Sequence, residues 1–146
     1  MINNLSLFVV TFFYIGKIKH APGTFASLAT LIIWILLIPN DYSIRIFIIL
    51  CLTTLGFIFI KISLSNFKEQ DPQSIVIDEV IGMSIALMFI NNNLFIMMVA
   101  FLLFRTFDIL KPSIIYYSQH FPGAYGILLD DILAGAITAI LLIPYI

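Results

Sequence analysis

The chain consists mainly of long apolar stretches, with few segments in which apolar and polar residues alternate. The stretches are bounded by Pro, Gly, Asn and Asp, and they are too long for buried strands, so the pattern predicts helices. There is one shorter stretch, residues 5–15, and there are five main ones, at residues 25–38, 44–60, 75–90, 94–104 and 127–143. No repeat or linker interrupts them. We therefore expect an all-α fold in a single domain, residues 1–146.

The composition places these helices in a membrane. Hydrophobic residues make up 62% of the chain and charged residues 10%, with a mean hydropathy of +1.12. Typical soluble domains have about 45–50% apolar residues and about 25% charged residues. A membrane span needs about 20 apolar residues, and several stretches are shorter. We expect a polytopic membrane helical bundle with about four to five short transmembrane helices, surrounded by membrane lipids. A net charge of −1 counts against a nucleic-acid partner, because phosphate binding requires a basic surface.

The basic residues predict which side of the membrane each loop occupies, because cytoplasmic loops carry an excess of Lys and Arg. With the N-terminus in the cytoplasm, the outer loops hold only Arg45. The cytoplasmic loops then hold Lys17, Lys19, Lys61, Lys68, Arg105 and Lys111. Residues 5–15 become an interfacial or re-entrant segment. The start of the chain lacks the basic region of a cleaved signal peptide, so we expect it to be retained.

Polar residues within or beside the apolar stretches fall on the cytoplasmic side in this orientation. Ionisable groups in membrane helices are costly and usually mark function, so we expect these residues to form one site at the level of the headgroups. They are Thr24, Ser27, Asp78, Glu79, Arg105, Asp108, Lys111, Asp130 and Asp131.

The charges of this group favour a metal ion. Five carboxylates and two cations leave a net charge of −3, and crowded carboxylates cannot all stay ionised without a neutralising cation. Oxygen ligands without Cys or clustered His favour a hard ion, Mg²⁺ or Mn²⁺. The expected Mg²⁺ ligands are Asp78, Glu79, Asp108, Asp130 and Asp131.

The two cations of the group suit a phosphate. Arg105 and Lys111 flank Asp108 at i−3 and i+3 on one helix stripe, and Thr24 and Ser27 are further candidate substrate contacts. A metal beside cations indicates metal-assisted hydrolysis of a phosphate ester, with water as the simplest nucleophile. Asp108 is either a further ligand or the base for this water. The expected catalytic residues are Asp108, Asp131, Arg105 and Lys111.

Other interpretations stay open. Helix dipoles favour acidic residues in a first turn and basic residues in a last turn, which would explain the signs of these charges without any ligand. Thr24 and Ser27 are typical helix-capping residues, and this role is favoured over phosphate binding. A small membrane transporter or channel subunit would use the acidic cluster on the cytoplasmic side as an ion path, although such a path should have ionisable groups through the membrane depth.

Two pairs of small residues predict which helices meet. Gly82 with Ala86, and Gly135 with Ala139, have the small-x-x-x-small spacing that lets membrane helices approach closely. We therefore expect the two stretches that carry acidic pairs to pack against each other.

Four blocks of the sequence resemble, in order and spacing, the bacterial phosphatidylglycerophosphatase A family. They are APGTFAS at residues 21–27, DEVIGM at 78–83, FRTFDILKP at 104–112 and GILLDDILAG at 126–135. Ala26 and Ala124 stand where that family usually has Gly, so the backbone detail there departs from the pattern. The family's acidic and basic motif positions match the seven charged residues selected above.

This resemblance implies a multi-pass enzyme of the bacterial cytoplasmic (inner) membrane with its site on the cytoplasmic side. It would be a Mg²⁺-dependent lipid phosphatase. Its reaction in phospholipid biosynthesis would convert phosphatidylglycerophosphate into phosphatidylglycerol and phosphate.

Overall fold

The computed structural model describes residues 2–64, 72–112, 114–118 and 120–146, and over these residues it contains helices and no strands. The helices are α1 (Ile2–Val10), α2 (Pro22–Leu37), α3 (Tyr42–Ser63), α4 (Ile77–Leu87), α5 (Leu94–Leu110), α6 (Ile114–Ser118) and α7 (Ala124–Leu142). The prediction of an all-α fold is therefore confirmed.

Helix ends fall where local side chains satisfy the first backbone N–H groups or stop the helix. Asp41 accepts a hydrogen bond from the Ile44 amide at 2.9 Å, which caps α3, and Asn93 accepts one from the Ile96 amide at 3.2 Å, which caps α5. Pro112 follows the end of α5. The short helix α6 was not predicted, because five residues are too few to show a helical period.

The helix α4 is the centre of the bundle. Nine of its eleven residues are buried, and it packs most extensively against α7, then against α2, with further contacts to α5 and α3. Around it, α1 packs on α3 and α5 packs on α7. A helix enclosed on all sides by other helices needs no polar face, which explains its apolar sequence.

The helices α4 and α7 cross backbone to backbone at two glycines. A Cβ atom on Gly135 would lie 2.2 Å from the Gly82 carbonyl oxygen, and one on Gly82 would lie 2.6 Å from the Asp131 carbonyl oxygen. This confirms the prediction, from the spacing of the small residues, that the two stretches carrying acidic pairs lie together.

Within the described part of the chain, two helices are long and apolar enough to cross a membrane. These are α3 and the continuous segment Ala124–Tyr145, which consists of α7 and a terminal 3₁₀ turn. Most of α3 is exposed to the outside of the bundle. The helix α2 is apolar but shorter. Lys68, which entered the predicted orientation, lies outside the described residues.

The end of the bundle away from the acidic residues is held by Arg45. The sequence places this residue in an outer loop, but the structure buries it in the first turn of α3. Its guanidinium donates hydrogen bonds to the carbonyl oxygens of Pro39, Met88 and Ile90 at 3.0, 3.1 and 2.9 Å. Arg45 therefore joins the α2–α3 connection to the C-terminal end of α4, where helix carbonyl groups otherwise lack partners.

We expect Gly135→Ala to lower the free energy of unfolding by about 1–3 kcal/mol, because the added methyl group overpacks two backbones that cannot move aside. Thermal unfolding in detergent micelles measures this loss. Gly56→Ala is the matched control: a Cβ there would meet the Cδ1 atom of Ile81, which can rotate away. Equal losses for both variants would contradict the importance of the crossing.

Candidate functional site

Four helix segments meet at one end of the bundle around a polar pocket of about 380 Å³. The N-terminal ends of α2 and α4, the C-terminal end of α5 and the second turn of α7 all contribute to its wall. All seven charged residues selected from the sequence line it, namely Asp78, Glu79, Arg105, Asp108, Lys111, Asp130 and Asp131. The structure therefore brings together in space residues that are up to 53 positions apart in the sequence.

Three carboxylates of the pocket form a close trio. One oxygen each of Asp78, Glu79 and Asp131 lies within 4.8 Å of the others. Asp78 is 8% exposed and Asp131 is 2% exposed. Among the described residues, Asp78 Oδ1, Glu79 Oε2 and Asp131 Oδ1 are buried and have no hydrogen-bond partner. Buried acceptors normally have partners, so these three oxygens form a donor set that could hold a cation.

Burial and mutual repulsion oppose the ionisation of all three carboxylates of the trio when no cation is bound. Burial raises the pKa of Glu79 to about 7. Burial, together with the charges of Glu79 and Asp131, raises the pKa of Asp78 well above its usual range. A divalent cation with oxygen ligands would reverse both effects, because it stabilises the charged carboxylates.

The two cations of the pocket bind the remaining carboxylates. Arg105 Nη1 lies 2.6 Å from Asp108 Oδ2 and 3.9 Å from Glu79 Oε1. Lys111 donates a short hydrogen bond to Asp130. The five predicted metal ligands therefore divide into a close trio and two residues that are paired with cations. Asp108 and Asp130 hold Arg105 and Lys111 at the edge of the trio.

Local backbone features set these side chains in place. Arg105 and Asp108 are three residues apart on α5, and Lys111 caps the same helix with a left-handed conformation (φ 43°). On the facing side, α2 brings Gly23 against the trio: a Cβ there would lie 1.9 Å from Glu79 Oε1. Glu79 and Arg105 can occupy their positions only because residue 23 has no side chain.

Thr24 and Ser27 take different positions from those expected of capping residues. The residue that caps α2 is Ala21, without a side-chain hydrogen bond, and Pro22 is the first helical residue. Ser27 is buried, donates to the Gly23 carbonyl oxygen at 2.8 Å and receives Arg105 Nη1 at 3.4 Å. Thr24 is in the first turn of α2 and is not among the residues that line the pocket. The capping interpretation was therefore wrong for both, and Ser27 contacts the site through Arg105.

The helix-dipole interpretation fails for α7. Its first turn contains no acidic residue, and Asp130 and Asp131 lie in the second turn. It holds only for Asp78 and Glu79, in the first turn of α4. Dipole effects fall off within the first turn, so the second acidic pair needs another explanation.

Several pocket residues were missed by the sequence reasoning. Gln73 and Ile75 precede α4, Ile127 lies in the first turn of α7, and Gly23 lies in a recognised block without an assigned role. Neutral residues carry no charge signal. The only available clue was the proximity of Gln73 and Ile75 to Asp78 in the sequence.

A family model and two similar proteins carry the same family name. The family model described as phosphatidylglycerophosphatase A matches residues 8–146. Two proteins named phosphatidylglycerophosphatase A are similar: one from Haemophilus influenzae, 38% identical over 88% of this chain and 80% of its own, and one from Escherichia coli, 33% identical over 85% and 73%.

A third relative carries a different name. A protein of Bacteroides thetaiotaomicron, provisionally named phosphatidylinositol-3-phosphatase, is 36% identical over 94% of this chain and 91% of its own. No solved structure gives a significant match.

We expect Asp78→Asn to stabilise the protein in EDTA at pH 8 by about 1–3 kcal/mol, because it removes a buried charge without a partner. A raised pKa in the folded state means that the destabilisation by Asp78 is absent at low pH and grows as the pH rises. The gain should therefore shrink towards pH 4. Thermal unfolding across this pH range measures it.

Asp41→Asn is the matched control, because Asp41 is an exposed cap and Asn caps helices equally well. Its unfolding temperature should not change. A lower unfolding temperature for Asp78→Asn at pH 8 in EDTA would show that the trio does not carry the expected electrostatic strain.

Proposed function

The chain belongs to the phosphatidylglycerophosphatase A family, and from this membership we propose that it hydrolyses phosphatidylglycerophosphate to phosphatidylglycerol and phosphate. The family model covers nearly the whole chain, and the relatives so named cover most of it. The single observation that supports the proposal best is the pocket, in which a trio of carboxylates lies beside Arg105 and Lys111.

The proposed cofactor is Mg²⁺, held by Asp78, Glu79 and Asp131. The support is the donor set: three buried carboxylate oxygens without partners among the described residues, and no sulfur or imidazole ligand in the pocket lining. When bound, the ion would stabilise negative charge on the phosphate and make a bound water more acidic.

The protein side chains have separate proposed roles. Arg105 binds the phosphate oxygens, since its planar guanidinium can make two parallel hydrogen bonds, and Lys111 adds a second positive charge. Asp108, at 2.6 Å from Arg105, orients that guanidinium and can accept the proton of the attacking water. Water attacks the phosphorus, the bond to the glycerol oxygen breaks, and the leaving oxygen takes up a proton.

The proposed location is the bacterial inner membrane, with α2, α3, α5 and α7 crossing it and α4 enclosed among them. Two of these helices have the length and composition of a span, and α2 and α5 would need a thinned bilayer or flanking residues. Lys17 and Lys19 shortly precede Ala21 and Pro22 of the pocket lining, and Lys61 lies in the last turn of α3, far along that helix from Arg45. The positive-inside rule therefore favours the cytoplasmic side for the pocket.

An ion path is not favoured. The acidic residues that the structure describes within the bundle gather at one end, and the buried ionisable group at the other end, Arg45, is fixed by backbone carbonyl groups.

A second substrate deserves a direct test because of the name of the Bacteroides relative. Phosphatidylinositol 3-phosphate and phosphatidylglycerophosphate both present a phosphate monoester on a lipid headgroup.

Purified protein in mixed micelles should release phosphate from phosphatidylglycerophosphate in the presence of Mg²⁺, and the rate should fall by at least about 100-fold in excess EDTA. Phosphatidylinositol 3-phosphate, tested in parallel, identifies the preferred headgroup. Equal rates with Mg²⁺ and with EDTA would exclude the metal. Faster release from the inositol lipid would exclude the proposed substrate while keeping the reaction class.

Arg105→Lys should lower kcat/KM by about 10–100-fold, or about 1.4–2.7 kcal/mol, because a single ammonium cannot replace the two parallel donors of the guanidinium. Lys61→Arg exchanges the same two residue types at an exposed position near the end of α3 and should leave the rate unchanged. A fully active Arg105→Lys enzyme with an unchanged unfolding temperature would remove Arg105 from the phosphate site.

A further inference from the structure

A cluster of exposed aromatic residues follows α1 and has no role in the pocket. Phe12 points inward, whereas Phe13 is 61% exposed and Tyr14 is 46% exposed. Ile18, four residues further on, is also exposed. Large aromatic side chains on the outside of a protein usually mark a surface that meets something apolar. We name residues 12–20 the aromatic turn.

The backbone of the aromatic turn is strained in a way that keeps these rings outside. Phe12, Phe13 and Tyr14 all have positive φ, at 43°, 57° and 68°, a conformation that bulky L-residues rarely adopt. Thr11 holds the turn, because its hydroxyl donates to the Leu7 carbonyl oxygen at 2.7 Å and accepts from the Tyr14 amide at 3.2 Å. A backbone held in a sparsely populated conformation is typical of functional segments.

Basic residues accompany the rings. Lys17 Nζ lies 4.4 Å from the centre of the Tyr14 ring, and Lys17 and Lys19 are both exposed. The described residues of the turn include no carboxylate to neutralise them. Aromatic rings with adjoining lysines match the boundary between lipid tails and anionic headgroups, where rings enter the apolar layer and ammonium groups bind phosphate.

The aromatic turn is attached to the wall of the pocket. A Cβ on Gly16 would lie 2.1 Å from the Ser74 carbonyl oxygen, and the Val76 amide donates to the Val10 carbonyl oxygen at 2.9 Å. These contacts fix the turn against the segment that carries Gln73 and Ile75 into the pocket. Its other end leads directly into Pro22 and Gly23 at the start of α2.

We propose that the aromatic turn docks on an anionic phospholipid surface at the mouth of the pocket. Phe13 and Tyr14 enter the apolar edge of the bilayer, and Lys17 and Lys19 bind the surrounding phosphates. This inference rests on the proposed membrane location, and it adds a binding surface for bulk anionic lipid that is separate from the hydrolytic site. Its consequence is that anionic lipid collects beside the pocket.

A single-tryptophan variant tests this docking. Phe13→Trp is made in a Trp34→Phe background, because Trp34 is the one native tryptophan, and the protein is reconstituted into vesicles of phosphatidylcholine with some phosphatidylserine, in which the same fraction of total lipid is brominated on one lipid or on the other. Bromine on either lipid should quench the indole, and quenching should be about twofold greater with brominated phosphatidylserine, since lysines bind the anionic lipid. Lys17→Gln with Lys19→Gln should abolish the difference.

Phe95→Trp in the same background is the matched control. Phe95 is exposed in the first turn of α5, at the end of the bundle away from the pocket, so both brominated lipids should quench it equally. An unchanged unfolding temperature of the lysine variant in neutral detergent micelles checks that the protein is folded and keeps this test separate from the proposed activity. Absence of bromine quenching at residue 13, or equal quenching by the two brominated lipids there, would overturn the proposal.

Discussion

The contact between the backbones of Gly82 and Gly135 determines the geometry of the site. Asp78 precedes Gly82 by four residues, and Asp131 precedes Gly135 by four residues, so each carboxylate lies one helical turn from the crossing, on the same side of it. Because the two backbones touch, the carboxylates have little freedom to separate. The contact between the two glycines therefore holds two buried carboxylates of like charge close together.

That crowding makes the site unfavourable for the protein alone and favourable for a ligand. Buried carboxylates without partners oppose folding, and the pocket relieves only part of the repulsion, through Arg105 with Asp108 and through Lys111 with Asp130. The repulsion that remains is between the three carboxylates of the trio. The cation proposed above would bind more strongly to these crowded carboxylates than to a neutral pocket, because its charge would also offset their mutual repulsion.

Much of this arrangement was predictable from the sequence, for physical reasons. The apolar stretches predicted the six longer helices. The seven pocket residues were singled out because they are charged and lie within or beside these stretches, on one side of the predicted membrane. The small-residue spacing predicted the partner of α4. The sequence did not predict which carboxylates pair with cations, because side-chain reach depends on crossing angles, nor the burial of Arg45, whose partners are backbone carbonyl groups without a sequence signal.

The helix α4 is fixed at two places, by the glycine crossing near its middle and by the hydrogen bonds of Arg45 beyond its last turn. A central helix held in this way cannot easily shift relative to the helices packed around it. The wall that α4 supplies to the pocket is therefore braced at the far end of the bundle. A substitution at Arg45 is thus expected to reach the carboxylates along the axis of a single helix.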